Sequence, residues 1–346
     1  MPEGSALVLD NWRPTTTGVK ARAGSLVWAS PTGDGPAGTL WSAQHGTVEK
    51  MFVGTNSKIW DVTGAALSVA IGRGSAYNYH VVQTDAANTG WMIVVNANGD
   101  QVLLYNMNTN VWRTNTGIGP ATPSMISGPA GTAVEFGANL VFVWKYRNRL
   151  YFLQSNSMDA WYLDVNALGG VLSKIPLSGA FRRGGKLLFG CVWSLDAGDG
   201  LDDKICFVTD RGEIAVFTGS NPADPANWRQ EGRFDIAKPL SANATVRVGG
   251  DVLVATMDGI IPLSSCINKD PAALQLDAIS RQIQKDYRKF MQTRSAVPWD
   301  LVKWDAGGLL FLIMPRNGAG DDRFVYVANL LTGAWTRYTN WDCYSG

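Results

Sequence analysis

Histidine is nearly missing from this chain, with only His45 and His80 among 346 residues. Charge is sparse as well: 17 % of residues are Asp, Glu, Lys or Arg against 46 % hydrophobic, and the formal net charge is +1. The four cysteines, Cys191, Cys206, Cys266 and Cys343, form no C-x-x-C pair. A structural zinc site draws on thiolates and imidazoles at fixed short spacings, and this sequence offers no such set. The cysteines read as reduced, mostly buried small hydrophobes of a chain assembled in the cytosol. Dedicated DNA- and RNA-binding proteins carry a basic excess, which is absent here. No run approaches 18 consecutive apolar residues, so no membrane anchor of its own is expected. The opening MPEGSALVLDNW has no basic segment followed by an apolar one and predicts no secretory signal. Nucleophile elbow, P-loop and dinucleotide fingerprint are all missing.

Glycine and tryptophan are plentiful, at 38 and 14 residues. Many short strands need many tight turns, and glycine supplies the positive φ those turns require. The clearest stretch is Leu140–Val165, LVFVWKYRNRLYFLQSNSMDAWYLDV. Its apolar runs are strand-length, rich in Val, Phe, Tyr and Trp, and separated by Asn, Ser and Asp turns, so it reads as a β-meander. Weaker copies recur at Met51–Val62, Trp91–Asn106, Ile205–Phe217, Val252–Leu263 and Leu309–Val327, with starts roughly 40 to 65 residues apart. That period approaches a four-stranded propeller blade. The predicted fold is therefore all-β, a single β-propeller of about six blades over residues 1–346. Within it, 1–38 form an N-terminal strand and loop, with Ala6–Asp10 as the strand. The first strand of each copy is apolar throughout, which predicts an inner strand covered on both faces. Trp112, Trp161, Trp228 and Trp335 fall in a third strand or its lead-in. Asn98–Gly99, Arg211–Gly212 and Asp258–Gly259 are expected hairpin turns.

One segment breaks the β pattern. In Asp270–Met291 an N-cap Asp and a Pro precede Leu276, Ile279, Ile283, Tyr287 and Phe290 at helical spacing. This predicts an inserted amphipathic helix over 270–291, packed on sheet edges, with Arg281, Lys285, Arg288 and Lys289 facing away. The Gly-, Pro-, Ser- and Thr-rich stretch Thr114–Thr132 reads as a long surface loop and a contact element.

Chemistry is hard to find. Neither histidine sits in a nucleophile context, and both read as structural. Ser194–Gly200 matches part of the S-x-D-x-G-x-x-W box of sialidase-like propellers, but Leu201 stands where Trp belongs. Asp196, Asp199, Asp202 and Asp203 lack calcium-loop spacing and read as a solvated loop. Trp12, Trp41 and Trp299 could stack on sugars, although blade packing accounts for them equally well. No catalytic, cofactor-binding or metal residue is assigned, and no enzyme is expected.

The pieces LDNWRPTTTGVKARAG, KMFVGTNSKIWDVTG, DGIIPLSS and LTGAWTRYTNW together resemble propeller-bearing tail hub, or nozzle, proteins of short-tailed bacteriophages. N-W-x-P-T-T-T-G-x-x-x-R-x-G is the most specific of these. The resemblance implies a virion structural protein, assembled in the host cytoplasm and located in the tail. It implies a ring of six copies beneath the head-to-tail connector. Its partners would be further copies of the chain, portal or adaptor and other tail proteins, and the viral double-stranded DNA. It carries over no catalytic residue and no cofactor. Relatives continue past the W-T-R-Y element with further strands, so either these are lacking or Ala6–Asp10 closes the last blade. Candidate channel-lining or interface residues are Lys145, Arg147 and Arg149, then Arg182, Arg183 and Lys186, and the helix cations Arg281, Lys285, Arg288 and Lys289. The alternative reading is a carbohydrate-binding or glycan-processing propeller.

Overall fold

The computed structural model describes residues 9–30, 33–64, 68–72, 78–86, 88–114, 126–194, 203–268, 271–294, 297–315, 317–318, 321–341 and 343. Several expectations fall outside that set: most of the 114–132 loop, residues 6–8, Asp270, and Asp196, Asp199 and Asp202 of the acidic run. The fold is a six-bladed β-propeller, and the chain divides into two compact units, 28–195 with 199–234, and 1–27 with 196–198 and 235–346.

The larger unit holds four blades, each a meander in chain order. Blade 1 is built from Thr39–His45, Val48–Gly54, Lys58–Asp61 and Ser68–Gly72, and blade 2 from Tyr79–Ala86, Thr89–Asn96, Leu103–Asn106 and Val111–Thr114. Blade 3 follows with Leu140–Tyr146, Arg149–Gln154, Asp159–Tyr162 and Ser173–Pro176. Blade 4 comprises Leu187–Trp193, Lys204–Thr209, Glu213–Gly219 and Trp228–Asp235.

Side chains alternate between the two faces of a strand, so a strand apolar at every position serves two cores at once. The second strand of blade 2 shows this directly. Trp91, Ile93 and Val95 join a cluster with Leu140, Phe152 and Trp161 of blade 3, while Met92 and Val94 join Trp41, Phe52 and Ile59 of blade 1. Each fully buried large side chain contributes roughly 1.5–3 kcal/mol, which is why neighbouring sheets stack face to face. Five of the six repeat copies are out of step with the strands they predicted. In every blade except blade 3 the continuously apolar run is the second strand. The second strands are paired along both edges and covered on both faces, whereas first strands such as Thr39–His45 leave one edge unpaired and alternate between buried and exposed. Trp112, Trp228 and Trp335 likewise open fourth strands, and only Trp161 lies in a third. The three predicted Gly turns do join second to third strands, with φ of 83° at Gly99 and 79° at Gly212.

The smaller unit holds blade 5, from Thr245–Val248, Asp251–Thr256 and Gly259–Pro262, and blade 6, from Asp300–Trp304, Leu309–Ile313, Phe324–Asn329 and Trp335–Thr339. Blade 5 has three strands. Along its outer edge lies the predicted inserted helix, 16 residues long at 279–294, which begins later than the expected 270–291. A four-residue helix, Ser265–Asn268, is followed by 3-10 turns at Pro271–Leu276 and Ile279–Ile283 and an α-helix at Gln284–Arg294. The break has a tertiary cause. Ala278 leaves helical geometry at ψ 121°, which brings the Ser280 hydroxyl to accept from the Ile260 amide at 3.0 Å. An open strand edge is thereby covered. Tyr287 and Phe290 are buried as predicted, Ile279 and Ile283 are half-buried, and Leu276 is exposed.

The N-terminal residues also depart from expectation. Leu9–Asn11 runs parallel to the outermost strand of blade 6, with Asn11 N donating to Arg337 O at 2.7 Å and Arg337 N to Leu9 O at 3.0 Å. Blade 6 already has four strands, so this segment adds to its outer edge and does not complete it. A hairpin, Trp12–Thr15 with Gly18–Ala21, follows.

Candidate functional site

The first strands of blades 1 to 3 present their unpaired edges, and side chains tie those edges together. Gln44 N donates to Gln83 Oε1 at 3.2 Å, and Gln83 Nε2 donates back to Gln44 O. His45 Nδ1 meets Asp85 Oδ1 at 3.0 Å, and Lys145 Nζ donates to Thr84 Oγ1 at 3.1 Å. The first-strand edge is thus a narrow polar band of amides, one His–Asp pair and one lysine. His80 packs its ring 4.4 Å from that of Phe142 on the next blade, and burial pushes its pKa down to about 4. It is neutral over the physiological range.

Lys145 is the one predicted cation on a first strand, and it is exposed. Its two sequence neighbours do not join it. Arg147 turns at φ 43° and lays its guanidinium 5.4 Å over the Tyr146 ring. Arg149 is 6 % exposed, which removes it from any interface. It donates to Asp164 Oδ1 at 2.8 Å and to the carbonyls of Ser220 and Leu163, holding the Asp164 carboxyl below its usual range. A guanidinium is readily buried when its fork meets several acceptors.

Arg182 and Arg183 are exposed, and their backbone amides donate to the buried Glu213 carboxylate at 3.0 and 2.7 Å. Lys186 Nζ donates to Asn156 Oδ1 at 2.8 Å. The helix cations are brought together. Arg281, Lys285, Arg288 and Lys289 are all exposed, and their spacing of four, seven and eight residues places them on one stripe. Of the three candidate sugar platforms, Trp299 is fully buried and Trp41 nearly so, and only Trp12 stands open.

Sequence reasoning missed a polar cleft of about 400 Å³ in the smaller unit, lined by Asp10, Lys285, Asp286, Tyr326, Trp335 and Arg337 among others. Arg337 grips Asp10 through Nε and one terminal nitrogen, both at 2.8 Å, and Asp10 raises the guanidinium pKa. The Tyr326 hydroxyl donates to Asp286 Oδ2 at 2.7 Å. Burial, then Asp286, pushes its ionisation far up, so it remains a donor. Asp10 and Arg337 form an ion pair and Asp286 accepts from a tyrosine that stays protonated, an arrangement that suits binding better than proton transfer. Asp10 and Arg337 lie 327 positions apart, and no local signal in the sequence joins them.

The same unit unites two segments from opposite ends of the sequence, LDNWRPTTTGVKARAG and LTGAWTRYTNW. Asn11 Nδ2 donates to Thr339 Oγ1 at 2.7 Å, and Thr339 N returns a bond to Asn11 Oδ1 at 3.0 Å. Asn329 Nδ2 donates to Pro14 O at 2.9 Å. Arg13 donates to Gly307 O at 2.6 Å, with its guanidinium over Trp304. Arg22 lies 5.3 and 5.1 Å from the Tyr338 and Trp341 rings.

No family model matches the chain, and no curated protein does. Among solved structures it is similar to the extracellular domain of a hybrid two-component system from B. thetaiotaomicron, at 10 % identity and a TM-score of 0.53. That alignment covers 92 % of this chain and 36 % of the other, so the chain spans about a third of that protein's solved length. The β-propeller domain of Cps50 (Swd1) from Myceliophteria thermophila aligns over 89 % of this chain and 88 % of its own, at 11 % identity and a TM-score of 0.47. At such identities the likeness concerns the fold alone.

Proposed function

We propose that this chain is a non-enzymatic structural subunit of a short-tailed phage tail, a hub or nozzle propeller that forms a ring with further copies below the connector. The observation that carries this reading is the module just described. The N-W-x-P-T-T-T-G segment and the L-T-G-A-W-T-R-Y-T-N-W segment carry the phage-like pattern from opposite ends of the sequence, and Asn11 of the first bonds to Arg337 and Thr339 of the second. A pattern whose parts answer each other in space is a stronger resemblance than one scattered along a chain. The comparisons with solved structures speak to the fold, and the tail assignment rests on these motif residues.

Two further features support it. The first-strand edge of blades 1 to 3 is amide-rich with few free cations, and a surface that DNA must pass should not hold phosphates tightly, because each neutralised phosphate adds to the affinity. The helix stripe of four exposed cations offers a local anionic contact, either to passing DNA or to an acidic face of a portal, adaptor or other tail protein. On this reading the protein works without a cofactor, in the virion tail, after assembly in the host cytoplasm.

The test is compositional. Mass spectrometry of purified particles from a host carrying this sequence should recover the chain in the tail fraction, with portal and adaptor proteins. Its consistent absence from particles, together with hydrolysis or tight binding of a glycan by the purified protein, would replace this reading with the carbohydrate one.

A further inference from the structure

Cys191 and Cys206 face each other across the first and second strands of blade 4, as direct partners in an antiparallel ladder. Opposed residues in such a ladder have Cα atoms about 4.5 or 5.5 Å apart, depending on whether the pair exchanges hydrogen bonds, and their side chains leave the same face. Both separations lie inside the roughly 4.4–6.8 Å range that a disulfide spans. No disulfide joins them in this structure. Ile205 and Phe207, the neighbours of Cys206 in its strand, belong to the cluster shared with blade 3. Cys206 and Cys191 therefore share the opposite face of the sheet. Cys206 is fully buried, while Cys191 is half-buried and within reach of a small reagent. Of the other two cysteines, Cys266 lies in the short helix after blade 5, and Cys343 follows the last strand of blade 6.

We infer that Cys191 and Cys206 form an oxidisable dithiol, a modification site that closes into a cross-strand disulfide when the chain meets a two-electron thiol oxidant. With a diazene such as diamide, the Cys191 thiolate adds to the N=N bond. The Cys206 thiolate then attacks the Cys191 sulfur, forming the S–S bond and expelling the reagent as its hydrazine. Two thiol hydrogens and two electrons pass to the reagent, so the step balances. The consequence is mechanical. Strand Leu187–Trp193 is an edge strand, held to its sheet by one ladder only, and the bond would staple it to strand Lys204–Thr209. This inference is independent of the proposed function.

The experiment uses the full reduced chain, treated with diamide in the folded state, alkylated under denaturing conditions and mapped by non-reducing peptide mass spectrometry. The expected product is one cross-linked peptide pair joining Cys191 to Cys206, lighter by two hydrogens, with Cys266 still alkylated. Cys191→Ser abolishes it, and because that position is half-buried the variant is expected to fold. The oxidised wild type melts at a higher temperature than the reduced protein, and Cys191→Ser shows no such rise. Recovery of both cysteines as alkylated thiols after oxidation would overturn the inference. So would a linked product formed only after the chain is unfolded.

Discussion

Blade 3 and blade 5 close their outer edges by different means. In blade 3 the fourth strand Ser173–Pro176 pairs along Asp159–Tyr162, so the edge is held by backbone groups that every residue carries. Among the described residues blade 5 has no fourth strand, and side chains from the helical segment reach the sheet instead. Ser280 Oγ accepts from Ile260 N, Gln284 Nε2 donates to Asp258 O at 3.0 Å, and Tyr287 Oη donates to Thr256 O at 2.6 Å. A backbone ladder is indifferent to most side-chain substitutions, whereas a side-chain seal can be cut one atom at a time.

The sharpest way to break that contrast is at Arg294, which ends the helix and is 1 % exposed. Its guanidinium donates to Met314 O at 2.9 Å and Asp322 O at 2.8 Å and lies over Phe290 and Phe324. Arg294→Ala strands those carbonyls and the Asp321 carboxylate 3.3 Å away, at an expected cost of about 3–5 kcal/mol, read from urea unfolding. Tyr287→Phe and Ser280→Ala each leave a buried backbone group unpaired and should cost about 1–3 kcal/mol. Hydrogen exchange at Ile260 should accelerate in Ser280→Ala and stay unchanged in a control at the edge of blade 3.

A smaller effect belongs to the first strands. His80 has a folded pKa of about 4, below the ordinary 6.5. The unfolded chain therefore binds more protons than the folded one between those values, so stability falls as pH drops from 6.5 toward 4 and is flat above. The melting temperature of His80→Gln should show a shallower fall across that window than wild type. Smallest of all is Lys174→Ala in the fourth strand of blade 3. Lys174 pairs with Asp159 at 2.7 Å but is about half exposed, and the change should stay within about 0.5 kcal/mol.

The same contrast explains what the sequence disclosed. Apolar second and third strands were legible in all six blades because burial on both faces keeps most of their positions apolar. First strands such as Thr39–His45 alternate, and fourth strands such as Val111–Thr114 are short, so these do not stand out from loop sequence. One available signal was passed over. Asn106, Thr109 and Trp112 recur at the same spacing as Asn329, Thr332 and Trp335, and in both blades the Asn Oδ1 accepts from two turn amides. Helical character was legible from 279 onward, but its break depends on the Ser280 contact with another element. Arg149 reads as a turn cation because R-N-R is polar, and only the fold brings Ser220 and Asp164 to it. The Asp10–Arg337 cleft joins opposite ends of the sequence and leaves no local trace.

The ring itself is the claim most open to a direct look. Negative-stain electron microscopy of the purified full chain, concentrated in low salt, should show annular class averages built from repeated copies, six in the particle. A chain that stays monomeric at every concentration, and forms no annulus even with its connector present, would contradict the account.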